Sequence, residues 1–147
     1  MTNLPRMSAS RSFHSSVIHD KKLYLIGGEY RYNGRASDFI DVLDLEHPHA
    51  WGILHEGQSL IRFGQAPLAT AFSKDEILCA GGRLNGDLLS RVVTFNVRTQ
   101  RIREHHVPSA IKFQCYTTPA VLAEGKIMAL VVNLQNYLRI VEIDRQG

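Results

Sequence analysis

The run Lys22-Leu23-Tyr24-Leu25-Ile26-Gly27-Gly28 returns as Glu76-Ile77-Leu78-Cys79-Ala80-Gly81-Gly82, a largely apolar stretch closed by a glycine pair, 54 residues further on. The neighbours of each pair also correspond. Upstream, Phe13-His14-Ser15-Ser16-Val17-Ile18 matches Pro67-Leu68-Ala69-Thr70-Ala71-Phe72. Downstream, Ile40-Asp41-Val42-Leu43-Asp44-Leu45 matches Val92-Val93-Thr94-Phe95-Asn96-Val97, with Asn96 lying 52 residues after Asp44. A third copy is more worn. It consists of Thr118-Pro119-Ala120-Val121-Leu122, then Lys126-Ile127-Met128-Ala129-Leu130, then Leu138-Arg139-Ile140-Val141-Glu142-Ile143-Asp144, and it carries Val131-Val132 where the others have glycines. Recurrence at a fixed period of about 50 residues marks a repeat architecture, each copy being one supersecondary unit.

The texture within each copy is β. Short runs rich in Val, Ile, Leu, Tyr and Phe alternate with polar turns, and no segment sustains helical periodicity. Leu84 to Val93 comes nearest to a helix, and its glycine favours a loop. His19-Asp20-Lys21, Ser73-Lys74-Asp75 and Glu124-Gly125 read as hairpin turns. Trp51-Gly52-Ile53-Leu54 and Ile102-Arg103-Glu104-His105-His106 supply a fourth strand in copies one and two, which copy three lacks. The recurring residues suit structural roles. Gly27, Gly28, Gly81 and Gly82 permit positive φ or close backbone approach. Asp44 and Asn96 precede turns, where a short polar side chain bonds the backbone two residues on. Tyr24 and Trp51 bring large apolar area with a polar tip.

This ordered set resembles the kelch family. Copy one matches at Arg11-Ser12-Phe13-His14-Ser15-Ser16, Tyr24, Gly27-Gly28, Asp44 and Trp51; copy two matches at Gly81-Gly82 and Asn96, with Ile102 where the family has Trp. The resemblance implies an all-β, kelch-type β-propeller of about three four-stranded blades. They would lie at about residues 7–57, 58–107 and 108–147 of one kelch-repeat domain spanning 1–147, the last blade lacking its fourth strand. Closed propellers have 4–8 blades, which leaves three readings open. The chain is a fragment of a longer kelch protein, or it self-associates so that two sets of three blades complete a propeller, or it is an open arc with exposed strand edges.

Composition bounds the function. The chain has 147 residues, 44% of them hydrophobic and 21% charged, which suits a soluble globular domain with a genuine core. No stretch approaches the roughly 20 apolar residues of a membrane helix, and Met1-Thr2-Asn3-Leu4-Pro5-Arg6 lacks the apolar core of a secretory signal. The two cysteines, Cys79 and Cys115, sit in apolar strand-like runs and read as free buried thiols, which fits a reducing, cytoplasmic setting. The net charge of +3 is scattered, so no nucleic-acid partner is expected.

Catalytic patterns are missing from the sequence. There is no nucleophile elbow, P-loop or dinucleotide-binding glycine motif. His47-Pro48-His49 with His55, and adjacent His105-His106, lack the convergence a zinc site needs, because neighbours in a strand point to opposite faces. The copper site that some kelch-like propellers carry would need a Tyr-Cys-His arrangement at matching blade positions, which is not found. The expectation is therefore no enzyme activity, no metal and no cofactor.

What remains is loop surface, where binding residues concentrate on a rigid scaffold. The polar loops carry Arg11, Arg31, Tyr32, Asn33, Arg35, Arg62, Arg83, Asn85 and Lys112. In the kelch family, the loops entering the first strand and leaving the glycine-pair strand often line a face that takes acidic peptide segments. By resemblance, Arg11 and Arg62 fall in the first kind of loop, and Arg31, Arg35 and Arg83 in the second. At a strict 54-residue period Gln65, not Arg62, aligns with Arg11. The expected function is a non-catalytic protein–protein interaction scaffold or adaptor, binding protein partners through Arg11, Arg31, Tyr32, Arg35, Arg62, Arg83 and Asn85. The alternatives are an accessory or catalytic propeller of an enzyme acting on small molecules or glycans, for which His14 and Glu29 are the suggestive acid/base pair, or a non-functional fragment.

Overall fold

In a computed structural model, residues 4–7, 9–37, 39–54 and 63–106 are described in full, and residues 121–123, 126–132 and 138–144 as backbone strands. The strands are β1 (Arg11–Ser12), β2 (Ser15–His19), β3 (Lys22–Ile26), β4 (Glu29–Tyr30), β5 (Ile40–Asp44), β6 (Trp51–Leu54), β7 (Leu68–Ala71), β8 (Glu76–Ala80), β9 (Arg83–Leu84), β10 (Asp87–Leu88), β11 (Val92–Asn96), β12 (Ile102–His105), β13 (Val121–Ala123), β14 (Lys126–Val132) and β15 (Leu138–Asp144). There is no helix among the described residues, and hence none there long and apolar enough to cross a membrane. The fold is all-β and built of several antiparallel sheets. Sheet 1 runs β2-β3-β5-β6, sheet 2 runs β7-β8-β11-β12, and sheet 3 runs β13-β14-β15. Two short ribbons, β1-β4 and β9-β10, extend from the glycine-pair ends of sheets 1 and 2.

Strand alternation divides each sheet into two faces. One face of sheet 1 carries Val17, Tyr24, Ile26 and Ile40, with Val42 and Leu54 partly buried. It forms one core with Ile77, Cys79, Val93, Phe95 and Phe63, against which Ala69, Ala71 and Ile102 of sheet 2 pack. The two sheets therefore bury their apolar faces on each other, as a repeat that cannot bury its faces alone requires. His19 crosses the junction, its Nε2 lying 2.7 Å from the Ser73 carbonyl oxygen.

The turns explain the register. Asp20 and Lys21 both take positive φ, 45° and 59°, giving the two-residue turn whose twist matches a hairpin. Its counterpart is one residue longer, since Phe72 N–H bonds Glu76 O at 2.9 Å around Ser73-Lys74-Asp75. That extra residue shifts the first-strand correspondence. Val17 pairs with Tyr24 and Thr70 with Leu78, so Val17 corresponds to Thr70 and not to Ala71. Beyond β5 and β11 the turns are alike: Asp44 Oδ1 accepts from the backbone of Glu46 and His47 at 2.9 and 3.1 Å, and Asn96 Oδ1 from Arg98 and Thr99 at 3.0 and 2.9 Å. In the third copy β14 runs on through Val131-Val132, paired with Arg139 and Leu138, where glycine pairs end β3 and β8. Valine favours the extended strand that glycine interrupts.

The glycine pairs mark a close crossing of backbones. Gly28 N–H bonds Gly64 O at 2.8 Å. A Cβ on Gly28 would lie 2.5 Å from Ser12 O, and one on Gly82 would lie 2.7 Å from Phe63 O. The chain entering β7 thus threads between the two pairs, with room only for backbone.

Candidate functional site

The ends of sheets 1 and 2 that carry the glycine pairs gather most of the loop residues singled out from the sequence. In β1, Arg11 pairs with Tyr30, and Ser12 with Glu29. In sheet 2 the matching bridge joins Gln65 to Arg83, with N–H···O bonds of 2.7 and 2.8 Å. Because Gly28 matches Gly82, Glu29 matches Arg83, and so Gln65 takes the place of Ser12. Gly64, rather than Gln65, stands where Arg11 does. The Gln65 amide donates to the Glu29 carboxylate, which ties the bases of the two loops together. Arg62 lies outside the described residues.

Arg11 departs from the expected exposed loop position. Its side chain is 1% exposed and ion-pairs with Asp41, itself 2% exposed. Nη1 donates to Gly27 O and Phe39 O, each at 3.3 Å, and the guanidinium lies 5.6 Å from the centre of the Tyr30 ring. The pull on Arg11 is structural: a carboxylate removed from water must be paired and hydrogen-bonded. Burial raises the Asp41 carboxyl above its ordinary pKa, while Arg11's charge and hydrogen bond oppose the rise. His14, on the exposed rim, is held below its ordinary value by the surrounding protein and then by Arg11's positive charge, with Asp41 opposing.

Above this pair stands the loop Tyr30-Arg31-Tyr32-Asn33-Gly34-Arg35. Tyr30 N–H bonds Arg35 O at 2.9 Å, Gly34 N–H bonds Tyr30 O at 2.8 Å, and Asn33 Oδ1 accepts from Arg35 N–H at 3.0 Å. Arg31 N–H bonds Ser10 O at 3.1 Å, pinning the loop to the strand entry. Tyr30 and Tyr32 stack with ring centres 5.5 Å apart at 30°, and Tyr32 is 75% exposed. Arg31 and Arg35 are exposed beside them. The result is a stacked tyrosine pair on a hydrogen-bonded loop that also carries exposed Arg31 and Arg35. On the neighbouring loop, Asn85 and Gly86 take φ of 52° and 90° in a two-residue hairpin turn between β9 and β10. Asn85 is exposed, but Arg83 is half-buried, with its Nε unpartnered.

Sequence reasoning missed Asp41, the support role of Tyr30 and the Gln65–Glu29 contact. Asp41 had a usable signal. It stands opposite Leu25 in β3, whereas the corresponding places opposite Cys79 and Ala129 hold Val93 and Val141. An acid where two other copies have valine needs a partner.

Among the described residues there is no group of three or more His, Cys, Asp or Glu placed to hold a metal ion. His47 and His49 are exposed, and His55 is outside the described residues. Cys79 is a free, buried thiol whose pKa burial pushes up to about 12, so it is unreactive as a nucleophile. His14 and Glu29 do not form a hydrogen-bonded acid/base pair; Glu29 is engaged by Gln65. Trp51 Nε1 donates to Pro5 O at 2.9 Å, and Tyr24 is buried in the core, so both serve packing. No known protein family matches the chain, and no curated protein is similar to it in sequence.

Proposed function

We propose that the chain is a non-catalytic protein-binding module, its sheets being kelch-type propeller blades, and that it takes acidic peptide segments at the glycine-pair end. The observation that carries this reading is the Tyr30–Tyr32 stack, with exposed Arg31 and Arg35, on a loop closed by its own backbone hydrogen bonds. Tyrosine and arginine are the residue types that dominate interface hot spots. A loop already fixed in shape loses little entropy on binding. Guanidinium groups bond carboxylates in a bidentate, charge-assisted way, and the tyrosine rings offer apolar area beside them. Asn85, on the neighbouring loop, extends the same rim. Arg11 is not a contact residue in this reading; it holds Tyr30 from beneath and so positions the stacked pair.

The test is capture of partners from a cell lysate by the purified chain, with and without charge reversal at Arg31→Glu and Arg35→Glu. Partners held by this loop are expected to be lost in the reversed variant and kept in Lys21→Glu, on the opposite end of sheet 1. A partner set unaffected by the reversal overturns the assignment.

A further inference from the structure

Two Asn-Gly pairs stand on the loops that leave the glycine pairs, Asn33-Gly34 and Asn85-Gly86, and the fold treats them differently. Asparagine before glycine carries an intrinsic reaction. The glycine nitrogen, once it gives up its proton to solvent base, attacks the asparagine Cγ. A C–N bond forms and closes a five-membered succinimide, while the Cγ–Nδ2 bond breaks and ammonia leaves. Glycine permits the approach because it has no Cβ. Water then opens the ring, on one side to aspartate and on the other to isoaspartate, whose chain runs through the side chain. The reaction needs a glycine nitrogen that can lose its proton and a turn that can change shape.

At Asn33-Gly34 neither condition holds. Gly34 N–H is bonded to Tyr30 O at 2.8 Å, and the Asn33 carboxamide oxygen accepts from Arg35 N–H at 3.0 Å. The same loop is closed by Tyr30 N–H to Arg35 O and pinned by Arg31 N–H to Ser10 O. At Asn85-Gly86 both are met. Both residues are exposed, and a Cβ on Gly86 would meet nothing within 4 Å. Neither the Gly86 N–H nor the Asn85 carboxamide has a hydrogen-bond partner among the described residues. Their turn closes a ribbon of two residue pairs, Leu84 with Asp87 and Arg83 with Leu88, and so short a ribbon opens at its tip at small cost. We propose that Asn85 is a modification site built into the fold, converting without an enzyme to aspartate and isoaspartate, while Asn33 is protected. Exchange of carboxamide for carboxylate lowers the formal net charge by one from +3. The isoaspartate form also lengthens the backbone of the turn by one carbon, which disrupts the two-residue closure. On the reading of this rim as a site for acidic segments, the new carboxylate repels them; the modification itself does not depend on that reading.

The test holds the folded 147-residue chain at mildly alkaline pH, with samples taken over days and digested with trypsin, which places the two pairs in separate peptides, residues 32–35 and 84–91. Mass spectrometry, with chromatographic separation of the aspartate and isoaspartate forms, reads each site. Asn85 is expected to convert at least about tenfold faster than Asn33, a difference of about 1.4 kcal/mol in barrier, which is the scale of one backbone hydrogen bond. In concentrated urea, where the fold protects neither pair, the two rates should come together. Equal rates in the folded chain, faster conversion at Asn33, a silent Asn85 in the folded chain while the unfolded chain converts, or a tenfold gap that survives unfolding would overturn the proposal.

Discussion

The Arg11–Asp41 pair is a substitution within the repeat as much as an interaction. Copy two dispenses with both partners, holding Gly64 and Val93, the latter 1% exposed, at the corresponding places. Removing one partner from copy one strands the other. Arg11→Met is expected to cost about 3–5 kcal/mol in urea unfolding, because a buried carboxylate loses its counter-charge, whereas Arg11→Met/Asp41→Val should return to within about 1 kcal/mol of wild type. Titration supplies a second expectation. The pKa values of His14 and His105 are both lowered in the fold, His105 by burial and then Arg103, against Glu76. For these groups the unfolded chain binds protons more readily, so stability should fall as pH drops through the ordinary histidine value of 6.5. Thermal melts between about pH 7 and pH 5 should show the fall, and His14→Gln/His105→Gln should flatten it. At this scale the sequence was legible wherever the partner was local. Asp44 and Asn96 bond backbone two and three residues away, and short spacing alone foretells such turns. Arg11 finds Asp41 across 30 residues, and only a comparison of the copies exposes the need for it.

At the scale of elements, the hairpins and the order of strands follow from alternation and turn chemistry, which act within a few residues. The registers do not, because one extra turn residue between β7 and β8 moves a whole strand past its expected correspondence. The glycine pairs illustrate the same division. That they end strands is plain in the sequence; that the backbone of residues 63–65 passes between them is a tertiary fact. Gly28→Ala must bring a Cβ to 2.5 Å from Ser12 O at a φ of +84°, and is expected to cost at least about 3 kcal/mol. Gly34→Ala, at a φ of +65° with nothing within 4 Å, should cost only the left-handed penalty of about 1 kcal/mol. Matched thermal unfolding of the two variants checks the difference. Equal costs would mean that the crossing is looser than described.

For the whole molecule, the recurring sheets set how the core is built and where the loops gather. Sheets 1 and 2 bury apolar faces on each other, and that stacking brings their corresponding loops to one end. The loop placement of Arg31, Tyr32, Arg35, Arg83 and Asn85 was legible in that sense: they sit on the segments that leave the glycine pairs. Their ranking was not legible, since it depends on burial that no spacing reveals. Arg11 is sunk beneath Tyr30, Arg83 is half-buried, and the exposed group reduces to Arg31, Tyr32 and Arg35, with Asn85 on the adjoining rim. The most direct measurement is a fluorescence-anisotropy titration of the chain with labelled peptides rich in Asp and Glu, alongside length-matched neutral peptides. Acidic peptides should bind the wild-type chain, and Arg31→Glu/Arg35→Glu should weaken that binding at least tenfold, equivalent to about 1.4 kcal/mol. Binding of equal strength to neutral peptides, or to the reversed variant, would contradict the assignment of this loop as the binding site.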